Sequence, residues 1–254
     1  NKNNHFFLFY SLQHPHVPRT THPRFEGKSG MGPRGDVIVE ADWCIGELYK
    51  TLDNEGILDN TLIIFSSDNG PVLNDGYYDD AVEKLGDHTP SGGFRGGKYS
   101  LFEAGTKVPF ISYWRGKINP GVSNELISQV DLLNSISSII GSEFKSNDGI
   151  DLSDLLLRNK GKGRDHLVVE ASTRTAFRKG DWVIIPPYDA PALNKNVNIE
   201  LGNSNNFQLY NLEDDPSQKN NLAKIEKEKL KEIYNEFLKI RGDNFSNIES
   251  LILE

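Results

Sequence analysis

The sequence predicts an α/β fold, a mostly parallel sheet flanked by helices, followed by a small antiparallel sheet with a C-terminal helix. Three observations carry this. Leu62-Ile63-Ile64-Phe65 and Val108-Pro109-Phe110-Ile111-Ser112-Tyr113-Trp114 are largely apolar runs without regular polar alternation, as strands covered on both faces are. An amphipathic helical pattern precedes the first of them. After residue 160 the pattern changes to short β-rich runs separated by glycine and polar turns. The α/β part is therefore assigned to 1–160, and the antiparallel part with its terminal helix to 161–254.

Phe6-Phe7-Leu8-Phe9-Tyr10-Ser11-Leu12 is β-rich and almost wholly apolar, which predicts another central strand. Gln13-His14-Pro15-His16-Val17-Pro18 follows it. The prolines exclude helix and predict extended backbone, with His14 and His16 pointing roughly the same way. Ile38, Ala41, Ile45, Leu48 and Leu52 recur along one face of a helix, with Gly56 as its C′ residue. Trp43 and Cys44 lie within this helix and are read as packing residues. The Thr61 strand runs directly into Ser67-Asp68-Asn69-Gly70, so a carboxylate and a carboxamide stand beyond its carboxyl end, where open α/β sheets bind ligands.

From Pro71 to Gly97 the chain is rich in Gly, Asp and Tyr with little regular pattern, and loops of that length are usually functional or disordered. This loop closes on Gly92-Gly93-Phe94-Arg95-Gly96-Gly97-Lys98, whose glycines let the backbone bend and bring Lys98 close to an anion. Val130, Leu133, Ile136 and Ile140 predict a helix stopping at Gly141. His166-Leu167-Val168-Val169-Glu170, Thr175-Ala176-Phe177-Arg178, Asp181-Trp182-Val183-Ile184-Ile185 and Phe207-Gln208-Leu209-Tyr210 predict short strands, the middle two joined at Lys179-Gly180. Leu230, Ile233, Tyr234, Phe237 and Leu238 predict a last helix laid against that sheet.

A net charge of -8 over 254 residues argues against a nucleic-acid surface, so an anion has to be held by local cations. No apolar run approaches the ~20 residues that cross a bilayer. A single cysteine excludes an internal disulfide. The opening Asn1-Lys2-Asn3-Asn4-His5, with no initiator Met or leader, is that expected of a piece of a longer chain.

The order of these segments resembles the type I sulfatase (arylsulfatase) family of the alkaline-phosphatase superfamily. His14-Pro15-His16-Val17-Pro18 is similar to that family's histidine-bearing segment after a strand, and Ser67-Asp68-Asn69-Gly70-Pro71 to its metal-binding Asp-Asn-Gly. Arg95-Gly96-Gly97-Lys98 running on to Glu103-Ala104-Gly105 resembles its Arg-Gly-x-Lys and Glu-Gly-Gly elements. Leu209-Tyr210-Asn211-Leu212 through Asn221-Leu222-Ala223 resembles its C-terminal signature. The resemblance implies a partial alkaline-phosphatase-like sheet and hydrolysis of a sulfuric ester, on a small aryl or carbohydrate substrate. It implies a calcium ion held in part by Asp68 and Asn69, with Lys98 and His16 as catalytic groups on the sulfate. His14, His88 and Arg95 are expected substrate contacts, and the family's setting implies a periplasmic or secreted protein. The family's nucleophile is a formylglycine made from the first residue of Cys/Ser-x-Pro-x-Arg, and no such run occurs in these 254 residues. The paired aspartate that completes the calcium shell is also missing, and Asp79-Asp80, with no apolar strand before it, is a poor substitute. Two alternatives stay open: a non-catalytic binding module on the same scaffold, and a phosphodiesterase of the same superfamily.

Overall fold

The computed structural model describes residues 3–242. Residues 6–12 run without a strand partner, and Phe7 and Phe9 are exposed, so the strand expected there is not formed among the described residues. β-Propensity needs a neighbouring ladder to satisfy the backbone, and none lies alongside. Helix α1 (Gly32–Asn54) forms where the periodicity places it, opening on Gly32-Pro33. Gly56 ends it at φ +70°, with its N–H on the Asp53 carbonyl at 2.9 Å and Ile57 N–H on the Leu52 carbonyl at 3.0 Å. This is the Schellman closure for which a C′ glycine is suited.

Strand β1 (Ile63–Ser66) pairs antiparallel with β2 (Phe110–Tyr113), Ile63 lying opposite Tyr113 and Ser66 opposite Phe110. The parallel sheet expected of these runs is therefore corrected: among the described residues every strand pairing is antiparallel. The physical reason is the connection. A parallel pair requires a crossover, usually helical, whereas residues 67–109 return as a loop holding one short 3-10 turn at Glu103–Gly105. The α/β class itself is borne out.

Helix α2 (Asp131–Ile139) forms as expected but turned the other way. Val130, Leu133 and Ile140 are exposed, while Asp131, Asn134 and Ser135 are buried. Hydrogen bonding sets this orientation. Asp131 accepts from the Ser128 and Ile150 N–H groups and from the Arg164 guanidinium, and Ser135 Oγ accepts from Leu152 N–H. A short α3 (Ser153–Arg158) follows, which the sequence pattern did not announce.

Strands β3 (His166–Ala171), β4 (Arg174–Lys179) and β5 (Trp182–Ile185) form a meander. A two-residue pair, β6 (Leu193–Asn194) and β7 (Ile199–Glu200), interrupts before β8 (Gln208–Asn211) joins the sheet in the order β3-β4-β5-β8. Helix α4 (Lys227–Arg241) packs on one face, where Ile233 and Phe237 meet Phe177, Ile184 and Leu209. The antiparallel sheet and its terminal helix are thus as the sequence predicts. The region assigned as 161–254 runs past the described residues, and 243–254 lie outside them.

The other face of this sheet is covered from the first part of the chain. Leu101 and Phe102 join Ala176, Val183, Ile185 and Tyr210 in one buried cluster. The residues just after Lys98 therefore belong to the core of the antiparallel sheet. Their position relative to β1 is fixed by close backbone approach: a Cβ on Gly70 would lie 1.6 Å from the Ala104 carbonyl oxygen. Gly70→Ala is expected to destabilise the protein by about 2–3 kcal/mol, since backbone must move to admit the methyl group. Urea unfolding checks this, and an unchanged midpoint would contradict the packing described.

Candidate active site

The site is built from backbone outward. Gly70 N–H donates to the Gly105 carbonyl at 2.9 Å, and Lys98 N–H donates to the Pro71 carbonyl at 3.0 Å. These bonds clasp the Asp68-Asn69-Gly70 turn, at the carboxyl end of β1, to the segment carrying Lys98. A second set ties that segment to the antiparallel part: Leu101 N–H to the Leu201 carbonyl at 3.0 Å and Ser100 Oγ to the Glu200 carbonyl at 2.6 Å.

Arg95 strengthens the same junction. Its Nε and Nη2 donate to the two Glu200 carboxylate oxygens at 2.7 and 2.9 Å, Nη1 donates to the Gln218 carbonyl at 2.8 Å, and the guanidinium lies over the Phe102 ring at 4.1 Å. The bidentate bond from Arg95 holds the Glu200 carboxyl below its ordinary range. Arg95 was expected to touch substrate. Its donors are instead committed to joining the two parts of the chain.

His16 and Lys98, expected to act together, do meet. Lys98 Nζ lies 3.4 Å from His16 Nε2. His16 Nδ1 is 2.7 Å from the Val17 carbonyl, which can only accept, so Nδ1 carries a proton and Nε2 is the ring nitrogen turned towards Lys98 and Asp75. Asp75 completes the cluster. Lys98 donates to its Oδ2 at 2.7 Å and Tyr99 OH to its Oδ1 at 2.8 Å, while His16 Nε2 stands 3.6 Å from Oδ2. Burial pushes the Asp75 carboxyl up, but the bonds from Lys98 and Tyr99 outweigh it and leave it below the usual carboxylate range. Burial likewise lowers Lys98, and Asp75 more than reverses this, so the ammonium stays charged. Tyr99 sits at φ +77°, a left-handed conformation that the surrounding contacts have to hold.

Arg19 anchors the loop that brings Asp75 into place. Its side chain donates to the carbonyls of Pro15, Val72 and Leu73 and makes a buried ion pair with Asp79 at 3.0 Å. Asp79 is thereby occupied in structure, in keeping with its poor fit to a metal pair. Sequence reading gave no role to Arg19 or Tyr99, and reached Asp75 only as the first residue of a stretch to His88 expected to help choose the substrate. The length of the 71–97 loop was the signal that something in it bears on function, but no motif singled these residues out.

The other expected site residues divide. His14 and His16 do not point the same way: His16 N–H closes a turn on the Gln13 carbonyl, and His14 Nε2 reaches Glu40 of α1 at 3.6 Å while His16 Nε2 meets Lys98. His14 Nδ1 is buried without a hydrogen-bond partner. His88 is exposed in the long loop. Asp68 is exposed, its Oδ1 accepting from Asn69 N–H at 2.9 Å, and Asn69 Nδ2 donates to the Gly70 carbonyl at 2.9 Å. The carboxylate of Asp68 and the amide oxygen of Asn69 are the donor types a hard cation takes, but calcium wants about 6–8 oxygens. No cluster of three or more His, Cys, Asp or Glu able to hold a metal occurs among the described residues.

An ammonium and an imidazole thus meet on a segment whose backbone is clasped to the turn carrying Asp68 and Asn69. The comparisons give the family. The sulfatase family model matches residues 1–142, and the chain belongs to the sulfatase family. It is similar to an N-acetylgalactosamine-6-O-sulfatase of Bacteroides thetaiotaomicron, 47% identical over 232 residues, covering 90% of this chain and 45% of that protein. It is 37% identical over 154 residues to arylsulfatase A of Homo sapiens, covering 60% of this chain and 29% of that protein. A solved Bacteroides thetaiotaomicron protein, described under metabolism of multiple glycosaminoglycans, matches with TM-score 0.91 and 44% identity over 94% of this chain and 51% of that one. The PsFucS1 sulfatase from Pseudoalteromonas sp. matches with TM-score 0.72 and 29% identity over 90% of this chain and 46% of that one. The chain thus spans about half the length of these Bacteroides and Pseudoalteromonas relatives.

The Arg95–Glu200 link has a pH signature. Because the folded-state carboxyl lies below its ordinary value, its contribution is fully present above the unfolded value of 4.5 and fades as pH falls through the lower folded value. The melting temperature of the unmodified protein should exceed that of Glu200→Gln at pH 7, and the difference should shrink towards pH 3. A difference that does not change with pH would contradict this role.

Proposed function

We propose that this chain forms part of a sulfuric-ester hydrolase acting on a sulfated carbohydrate. The observation that carries the reading is the meeting of His16 and Lys98 at 3.4 Å, on a segment clasped through its backbone to the Asp68-Asn69-Gly70 turn, in a chain of the sulfatase family. The relative named N-acetylgalactosamine-6-O-sulfatase supports a 6-O-sulfated amino sugar as the substrate. Lys98 binds and neutralises the sulfuryl oxygens. His16, with Nδ1–H fixed on the Val17 carbonyl, presents Nε2 to the sulfate or to the leaving oxygen. Asp68 and Asn69 would supply two of the ligands of a calcium ion, which would stabilise negative charge on the sulfuryl group. His88 reaches the substrate from the long loop, and His14 lends support from the turn.

The nucleophile is not among these 254 residues, and the formylglycine of the family is assigned to a portion of the polypeptide outside them. No helix of the described residues is long and apolar enough to cross a membrane. Family membership supports a periplasmic or secreted setting.

In the family-length polypeptide carrying this chain, Lys98→Ala is expected to lower kcat/KM for a sulfated monosaccharide by about 10²–10³, the effect of deleting one charge-stabilising donor. Wild-type turnover by that variant would remove Lys98 from the mechanism. Calcium titration supplies a second test. Asp68→Ala should weaken calcium binding, since a carboxylate ligand is lost, and an unaltered affinity would contradict the metal assignment.

A further inference from the structure

Lys98 and His16 are the proposed grip on the sulfate, yet a carboxylate sits against both. Asp75 is 2.7 Å from the Lys98 ammonium and 3.6 Å from His16 Nε2, and a negative charge there weakens the hold of both groups on any anion. It is not there by looseness. Tyr99 OH fixes Oδ1, and Arg19 fixes the backbone on either side of the loop through the Val72 and Leu73 carbonyls and the Asp79 carboxylate. A site for sulfate alone has no use for this group.

We propose that Asp75 determines specificity: it accepts a hydrogen bond from a hydroxyl of the carbohydrate that carries the sulfate, and it disfavours free inorganic sulfate in the same place. This rests on Lys98 and His16 being the sulfate grip. Two physical arguments support it. Asp75 accepts from Tyr99 OH on Oδ1 and from Lys98 Nζ on Oδ2, while an ionised carboxylate offers about four lone-pair sites. A sugar hydroxyl beside the ester supplies the missing donor, and an aryl sulfate has none to give. The second argument is charge. A sulfate monoester is a monoanion and inorganic sulfate a dianion, so repulsion from Asp75 falls about twice as heavily on the free ion. Binding of ester is retained while retention of the released ion is discouraged. The side chain is 12% exposed, open enough for one hydroxyl to reach it.

The test is isothermal titration of the protein with inorganic sulfate, phenyl sulfate and galactose 6-sulfate, repeated on Asp75→Asn, Asp75→Ala and Lys98→Ala, with circular dichroism and melting to establish folding. Phenyl sulfate and galactose 6-sulfate carry the same charge, so their ratio isolates the hydroxyl contact. The preference for galactose 6-sulfate over phenyl sulfate should fall by about tenfold in both Asp75 variants, the loss of a hydrogen bond to a charged acceptor. The affinity for inorganic sulfate should rise by about tenfold or more as the repulsion is removed. If Lys98→Ala abolishes sulfate binding while neither quantity changes in the Asp75 variants, the role of Asp75 is overturned and the sulfate grip stands. If inorganic sulfate binds Lys98→Ala as well as the unmodified protein, or binds neither, the grip itself is overturned and the proposal with it.

Discussion

The site depends on backbone meeting backbone. The bonds from Gly70 N–H to Gly105 and from Lys98 N–H to Pro71 hold two stretches of chain, roughly thirty residues apart, at van der Waals contact, and both partners are glycine-flanked because nothing larger fits. Side chains inherit their positions from that contact. Lys98 emerges on the side where His16 stands, and Asp68 and Asn69 emerge from the turn that the same clasp secures. An ammonium on a flexible four-carbon stem is a poor reference point in itself. Here its backbone is pinned, and its tip is fixed by Asp75.

The antiparallel part contributes rigidity to this arrangement. Phe102 and Leu101 enter its core, and Arg95 reaches across to Glu200 and Gln218, so the lysine-bearing segment is held from β1 on one side and from the sheet on the other. A sheet with α4 on one face and the 101–102 segment on the other is a three-layer solution in which a loop takes the place of an element. This explains why a motif-bearing loop is among the best packed parts of the chain.

Much of this was legible in the sequence, for identifiable reasons. The strands of the antiparallel sheet and the helix α4 have strong periodicity, and each finds the partner its apolar face requires. The pairing of His16 with Lys98 was readable from motif order. Strand direction and helix facing were not. Periodicity marks Val130, Leu133 and Ile140 as one stripe without saying which side of α2 is covered, and the buried Asp131–Arg164 ion pair decides the matter. The apolar run at residues 6–12 carries a strand composition but no information about a neighbour. The Arg95–Glu200 contact was not legible because Glu200 lies far along the chain and nothing beside Arg95 announces it. Asp75 was hidden because nothing local distinguishes it from the other acidic residues of its loop.

The central claim is that His16, Lys98 and the Asp68-Asn69 turn share one rim. Titration of the ¹⁵N-labelled protein with inorganic sulfate, followed by nuclear magnetic resonance, tests it most directly. The account predicts that the His16 ring nitrogens and the amides of Lys98, Tyr99, Asn69 and Gly70 shift together along a single binding curve. Shifts confined to residues elsewhere, or a response of Lys98 without His16 and the Asn69 turn, would contradict it.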